Sequence, residues 1–398
     1  MDAYSLGKPL ENRIIEFRHD IHMHPEISFK EIRTTKKIKD LMSQLNIRVM
    51  DTNLETGLVA LLESGKPGPT VALRADIDGL PIQELNQIPY KSVFKGISHA
   101  CGHDTHTACV AGAAMILASA RDQIPCGNIK FLFQPCEEVN KGALMLINAG
   151  ALENPKTDAI FGLHNQPYLP AGTIGLKKGT ALMAAVDRIE IDVHGKGAHG
   201  GYPEHSIDPI VIAAHIITAL QTIVSRNIDP QEASVVTIGE VKAGVANNVI
   251  PDDVFMTGTV RTFTKETRIK MPQLIERIAC KVAEGLGGTA VLRYHHDCPL
   301  VISDDLYVDI AKSAAAKVCG QKNVLDPVPC TGGEDFAWYF EKVPGCFMWL
   351  GVGNEEKGIN NPWHSSHFNI DESALLIGSA TLAQCAIDTL EYLAKNFK

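Results

Sequence analysis

Cysteine, histidine and carboxylate side chains recur at five places in this 398-residue sequence: CGHD from 101, QPCEE from 134, GLHNQ from 162, GGEDF from 332 and WHSSHF from 363. Taken singly, none says much, because a lone histidine among apolar residues is more often a packed or solvated side chain than a ligand. The set is more informative. Cys101, His103, one glutamate of the 137–138 pair, His164 and His364 together supply thiolate, imidazole and carboxylate, the donors that Zn²⁺ and similar transition metals select. On spacing alone His106 and His367 compete for the same roles.

Glu137 and Glu138 follow the apolar run IKFLFQPC, so two adjacent carboxylates leave a buried strand together and need cations nearby to stay charged. A natural division of labour puts one acid on a metal ion and makes its neighbour the base for an attacking water. Consecutive extended residues point to opposite sides, so a turn must redirect the pair.

The elements that have to position these groups alternate. Helical spacing is expected over residues 10–46 around the interrupting HMHPEI, followed by strand-like GLVALLES and TVALRADID, a helix after CGHD, a strand at NIKFLFQP, a helix at KGALMLINAGAL and a strand at AIFGLHNQ. Such alternation argues for an α/β sheet with helices on its faces, whose ligands lie at the strand ends. From residue 186 the pattern becomes strand, helix, two strands, helix, strand, a ferredoxin-like α+β unit that reads as an insertion spanning 186–296. Residues 1–185 and 297–398 then form one discontinuous catalytic domain, closed by a long helix from about 371.

Composition bounds the rest. With 45% apolar and 21% charged residues the chain is expected to be globular, and a length of 398 residues suggests two domains. A formal charge of -9 with scattered Lys and Arg argues against nucleic acid as a partner. The N-terminus has no signal-like basic and apolar regions, and no uninterrupted apolar run reaches bilayer length, so a cytoplasmic protein without a membrane partner is expected. The ten cysteines follow no framework spacing and are expected to be reduced.

The sequence resembles the M20 metallopeptidase superfamily, in particular the amidohydrolase subfamily that contains hippurate hydrolases, N-acyl-amino-acid amidohydrolases, auxin-conjugate hydrolases and some carboxypeptidases. The resemblance rests on HMHPEISFKE, ALRADIDGLPIQE, HACGHDTHTA, FQPCEE, GLHNQP, HGKGAHGGYPEHSIDPI, NNVIPDD, GTVRTF, GGEDFAWY and HSSHFNIDE, in that order. It implies a zinc-exopeptidase-type catalytic domain with a mixed sheet, an inserted lid, and two divalent ions (Zn²⁺, Mn²⁺, Ni²⁺ or Co²⁺). It further implies metal ligands at Cys101, His103, Glu138, His164 and His364, with Glu137 as acid/base. From the lid it implies His199 as oxyanion donor and Asn248 and Arg261 as substrate contacts, while the exposed edge strands expected of such a lid lead to the expectation of a homodimer formed through it. Arg74 stands in the place of the superfamily's H-x-D histidine, which leaves Asp76 as a partner behind a ligand histidine. Cys136 occupies a position where relatives commonly carry alanine.

The implied activity is hydrolysis of the amide bond of N-acyl amino acids, of hippurate or N-acetyl type. Alternatives are a carboxypeptidase or dipeptidase of the same superfamily, a metal-binding relative without activity, and a cysteine hydrolase using Cys101 with His103 or His106.

Overall fold

The computed structural model describes residues 1–396, which separate into two compact units: 1–182 with 302–328 and 334–396, and 183–301 with 329–333. The chain enters the larger unit through helices α1 (Ala3–Gly7), α2 (Glu11–Met23) and α3 (Ile32–Gln44). Strands β1 (Arg48–Val49), β2 (Leu58–Glu63) and β3 (Thr70–Asp76) follow, then α4 (His103–Ser119), β4 (Asn128–Gln134), α5 (Gly142–Asn148), β5 (Ala159–Pro170) and β6 (Ile174–Gly175).

The smaller unit opens with β7 (Ala185–His194) and the short β8 (Ala198–His199). Helix α6 (Pro209–Arg226), β9 (Ser234–Ala243), β10 (Val249–Ile250), β11 (Asp253–Thr262), α7 (Lys265–Gly285) and β12 (Thr289–Cys298) complete it. The chain returns to the larger unit with α8 (Asp305–Cys319), β13 (Val324–Leu325), α9 (Ala337–Phe340), β14 (Gly345–Gly353) and α10 (Ser373–Asn396).

Eight strands of the larger unit form one mixed sheet in the order β1-β2-β4-β3-β5-β14-β6-β13. Its centre is parallel, with β3 between β4 and β5, and β14 beyond β5. The strand β3 is buried at every position, as befits a parallel strand covered on both faces. Helix α4 is buried along nearly its whole length because its residues are small. A Cβ on Gly112 would come within 2.2 Å of Ser379 Oγ, so α4 and α10 approach as closely as glycine permits.

In the smaller unit β12, β7, β11 and β9 form an antiparallel sheet in that order, which is the ferredoxin-like arrangement. Burial alternates along β7 between the helix-covered face and the open one. Asp208 caps α6 by accepting from the N–H groups of Ile210 and Val211, and Pro209 opens the helix. The segment 329–333 belongs to this unit although it lies beyond the insertion in sequence: Met183 bridges Cys330, and Arg261 Nε donates to the Thr331 carbonyl. Such a pairing leaves no periodic signal in the sequence.

Among the described residues two helices, α6 and α10, are by length and composition apolar enough to cross a bilayer, although no uninterrupted apolar run is. Most of α10 is buried in the core, and α6 turns Ile212, Ile216, Leu220 and Ile223 onto the small sheet. All ten cysteines are thiols.

Candidate metal centre and active site

The parallel strands deliver the site. Asp76 ends β3, β4 runs into the turn that carries Glu137 and Glu138, β5 carries His164, and His364 follows β14. Cys101 precedes α4, whose first residue is His103. The intervening Gly102 has a left-handed backbone (φ +86), and a Cβ there would lie 2.4 Å from Asn165 Nδ2. That amide donates to the Cys101 carbonyl at 2.7 Å, fixing the turn that aims thiol and imidazole together. His364 is pinned by its own N–H on the Ala100 carbonyl at 2.8 Å and adopts φ 63. Two residues more than half the chain apart thereby become neighbours.

Among the described residues five groups of donors have ligand atoms within 4.8 Å of one another: Asp76–His103–His106 and Glu137–Glu334–Asp335 behind the site, and three that overlap at its face, Cys101–His103–His164, Cys101–Glu138–His364 and His103–Glu137–Glu138. Cys101, His103 and Glu138 each belong to two of these last three groups, so the groups share donors and form one continuous cluster. His103 Nε2 and Glu138 Oε1 are buried without hydrogen-bond partners, and they lie 3.8 Å apart. Unpartnered polar atoms of this kind are costly unless something else satisfies them, and divalent cations fit this donor set.

The ring tautomers agree with that use. His103 Nδ1 lies 3.1 Å from Asp78 Oδ1 and His164 Nδ1 lies 2.8 Å from the Asn165 carbonyl, so each donates there and leaves Nε2 with its lone pair free. His164 Nε2 faces Cys101 Sγ at 3.6 Å. Burial, reinforced by His106, pushes His164 well below its ordinary range and keeps it neutral. Burial and the adjacent Glu138 push the Cys101 thiol well up, so its thiolate depends on a cation at the site.

Asp76 does not stand behind His103. Its Oδ1 pairs with His106 Nδ1 at 2.6 Å and its Oδ2 accepts from Arg74 at 3.0 Å, while Asp78 takes the position on His103. The reason is local: Asp76 is the last residue of β3 and stays in the sheet layer, whereas Asp78 lies beyond the strand end, where the metal-facing loops gather. His106 is also out of reach as a ligand, since its Nε2 accepts from the Asn165 N–H at 2.9 Å and both ring nitrogens are committed. His367 is exposed and belongs to none of the donor groups.

Glu137 is buried, and its Oε2 lies 3.8 Å from His103 Nε2. Burial, then Glu334, Glu138 and Asp335, hold its carboxyl well above the usual range, which favours proton uptake. Behind it, the fully buried Arg74 meets Asp76, Glu334 and Asp335 at 2.9–3.0 Å. The GGEDF acids therefore serve this buried cluster, and GGEDF carried no separate signal of that role.

In the smaller unit, His199 and Asn248 share the β8–β10 ribbon: Val249 is opposite His199, and the Gly200 N–H donates to the Asn248 carbonyl at 2.7 Å. The Gly201 N–H donates to His199 Nδ1 at 3.0 Å, which leaves Nε2–H as an outward donor on an exposed side chain. Arg261 lies near the far end of β11, held by the carbonyls of Thr331 and Val260 and by Thr259.

The family model for peptidase family M20/M25/M40 matches residues 72–388. An N-acetylcysteine deacetylase of Bacillus subtilis is 45% identical over 385 residues, 96% of this chain and 98% of the relative. An N-acetyldiaminopimelate deacetylase of Leuconostoc mesenteroides is 35% identical over 375 residues, 92% of this chain and 95% of the relative. Among solved structures, a dinuclear metal-binding M20 peptidase of Bacillus subtilis aligns with TM-score 0.86 and 42% identity, covering 96% of this chain and 99% of its own. A putative aminohydrolase from methicillin-resistant Staphylococcus aureus aligns with TM-score 0.92 and 34% identity over 98% and 100% of the two chains. With matches of this extent on top of the clustered donors, the chain belongs to peptidase family M20/M25/M40 and is an amide hydrolase of that family.

Proposed function

We propose that the protein hydrolyses the amide bond of N-acyl amino acids, with N-acetyl amino acids first among them, using two divalent cations. The observation that carries this reading is the convergence of Cys101, His103, Glu138, His164 and His364 around unpartnered donor atoms, with the Glu137 carboxylate beside them. The acetyl preference draws on relatives named N-acetylcysteine deacetylase at 45% and 42% identity. Carboxypeptidase action is the second reading, because a relative of 38% identity carries the name thermostable carboxypeptidase 2.

Held by those five side chains, two such ions (Zn²⁺, Mn²⁺, Ni²⁺ or Co²⁺) would polarise the amide carbonyl and acidify a shared water. Glu137 takes a proton from the water that adds to the carbonyl carbon, and returns it to the amide nitrogen as the C–N bond breaks. The products are a carboxylic acid and a free amino acid. His199 donates from Nε2–H to the oxygen that gains negative charge. Arg261 offers a planar fork to the substrate carboxylate, and Asn248 adds a polar contact.

His199 lies on the ribbon at one end of the lid sheet and Arg261 toward the other end of β11. Eight strand positions separate Asp253, at the ribbon end of β11, from Arg261, a span of roughly 27 Å. We therefore assign them to different copies in a homodimer. The unpaired edge strand β9 with exposed Val241, and α6 with exposed Ile210 and Val211, supply apolar surface for that pairing.

The test is amine release from a panel of N-acetyl, N-benzoyl and longer N-acyl amino acids and dipeptides, on protein stripped by chelator and reloaded with each cation. The expected outcome is activity only after reloading, and a drop of about 10²–10⁴ in Glu137→Gln with its cations still bound. Activity that survives the chelator but not a thiol alkylator would establish the cysteine mechanism instead.

A further inference from the structure

The segment HPEISFKE lies outside every role assigned so far, yet it grips the turn that bears the two glutamates. Cys136, just before Glu137, adopts a left-handed backbone with φ 60, a conformation that a non-glycine residue keeps only when its surroundings hold it there. Its N–H donates to Glu31 Oε1 at 2.9 Å, and its sulfur lies 3.7 Å from the same oxygen. The sulfur also accepts from the Phe29 N–H at 3.1 Å. One residue on, the Glu138 N–H donates to Asp78 Oδ2 at 3.2 Å, and Ser28 Oγ donates to that same oxygen at 2.7 Å. Glu31 is fully buried; its Oε1 is committed to the turn, while its Oε2 is buried without a hydrogen-bond partner.

We propose that Glu31 is a positioning residue for Glu137: by holding the Cys136 N–H it locks the left-handed turn that points the Glu137 carboxylate at the metal-facing side. This rests on the reading of Glu137 as acid/base. If Cys136 relaxes to an ordinary backbone conformation, the Cα–Cβ bond of Glu137 swings away from His103 Nε2, now 3.8 Å from its carboxylate. Glu138 retains its own anchor in Asp78, so cation binding survives the loss of Glu31. The same arrangement gives Cys136 a use: its thiol ties Phe29 to Glu31.

The test is a double-mutant cycle on the cation-loaded enzyme with Glu31→Ala, Glu31→Gln, Glu137→Gln and the combination of Glu31→Ala with Glu137→Gln. Glu31→Ala should lower kcat about 30- to 100-fold, with KM within about threefold and cation content unchanged, the scale expected of a misplaced catalytic group. Glu31→Gln keeps an acceptor at the same place and should recover kcat to within about fivefold. On the Glu137→Gln background the residual rate should change less than about twofold on adding Glu31→Ala, because nothing remains to be positioned. Wild-type kcat in Glu31→Ala, an equal loss on both backgrounds, or loss of cations overturns the proposal. Full turnover in Glu137→Gln overturns the reading of Glu137 itself, and the proposal with it. Should Glu31→Ala fail to fold, Glu31→Asp, one methylene too short, must be slow where Glu31→Gln is fast; equal rates count against the proposal.

Discussion

Asp78 accepts from Nδ1 of His103 at 3.1 Å, and that single contact decides which nitrogen of the ring is left for a cation. Carboxylates in this position raise ligand basicity and hold the ring plane, and their removal typically costs 10- to 100-fold in metal affinity. Asp78→Ala should therefore weaken cation binding by about that factor in a competition titration against a chromophoric chelator. The same substitution at Asp76 should instead strain the buried Arg74–His106 cluster and lower the melting temperature; equal affinity losses for the two would remove the distinction. Residue types and spacing were enough to propose the donors. They did not separate Asp76 from Asp78, because both sit in one short stretch, and the end of β3 between them decides which one reaches the ligand.

Elements set the site by where they stop. Asp76 ends β3 and the Glu137–Glu138 turn follows β4, whereas His164 lies within β5 and Cys101 and His103 open α4, and the segment between β14 and α10 has to be held so that His364 keeps its place. Asp371 does part of that holding, accepting from Lys357 Nζ at 2.9 Å, from Asn354 Nδ2 and from the Ser373 N–H. Burial acts to raise its pKa, but these donors prevail and draw the carboxyl down to about 2. A depressed carboxylate stabilises the fold above the unfolded value of ~3.9, and the contribution disappears as pH falls through the folded value. Discounted for partial solvent screening, it amounts to about 1–2 kcal/mol. Asp371→Asn should accordingly unfold at lower urea than wild type at pH 7, with the gap closing between pH 4 and pH 2. A gap that stays constant over that window would show that the charge is not involved.

For the whole molecule, the separation of His199 from Arg261 along one lid turns the oligomeric state into a question about catalysis. If each site takes His199 from a partner copy, Glu137→Gln and His199→Ala are individually inactive but complement each other. In a mixed dimer one site has both defects and the other has neither. Co-expression at equal levels should therefore restore about a quarter of wild-type turnover, half of the dimers having one working site each. No recovery would place His199 in the same chain as the Glu137 it serves.

The longer strands and helices and the ferredoxin-like insertion were legible in the sequence because periodicity leaves a local signature, and residue chemistry suggested donors at 101, 103, 164, 364 and one of 137–138, with the resemblance choosing Glu138 and setting aside His106 and His367. Convergence was not. The His364–Ala100 hydrogen bond spans more than half the chain, the segment 329–333 joins the smaller unit from outside the insertion, and Glu31 grips a turn 105 residues away. Contacts of that kind depend on how strands stack side by side and where each one ends. No spacing along the chain encodes them, so only the folded backbone could decide which acid meets His103 and which carboxylate holds the turn before Glu137.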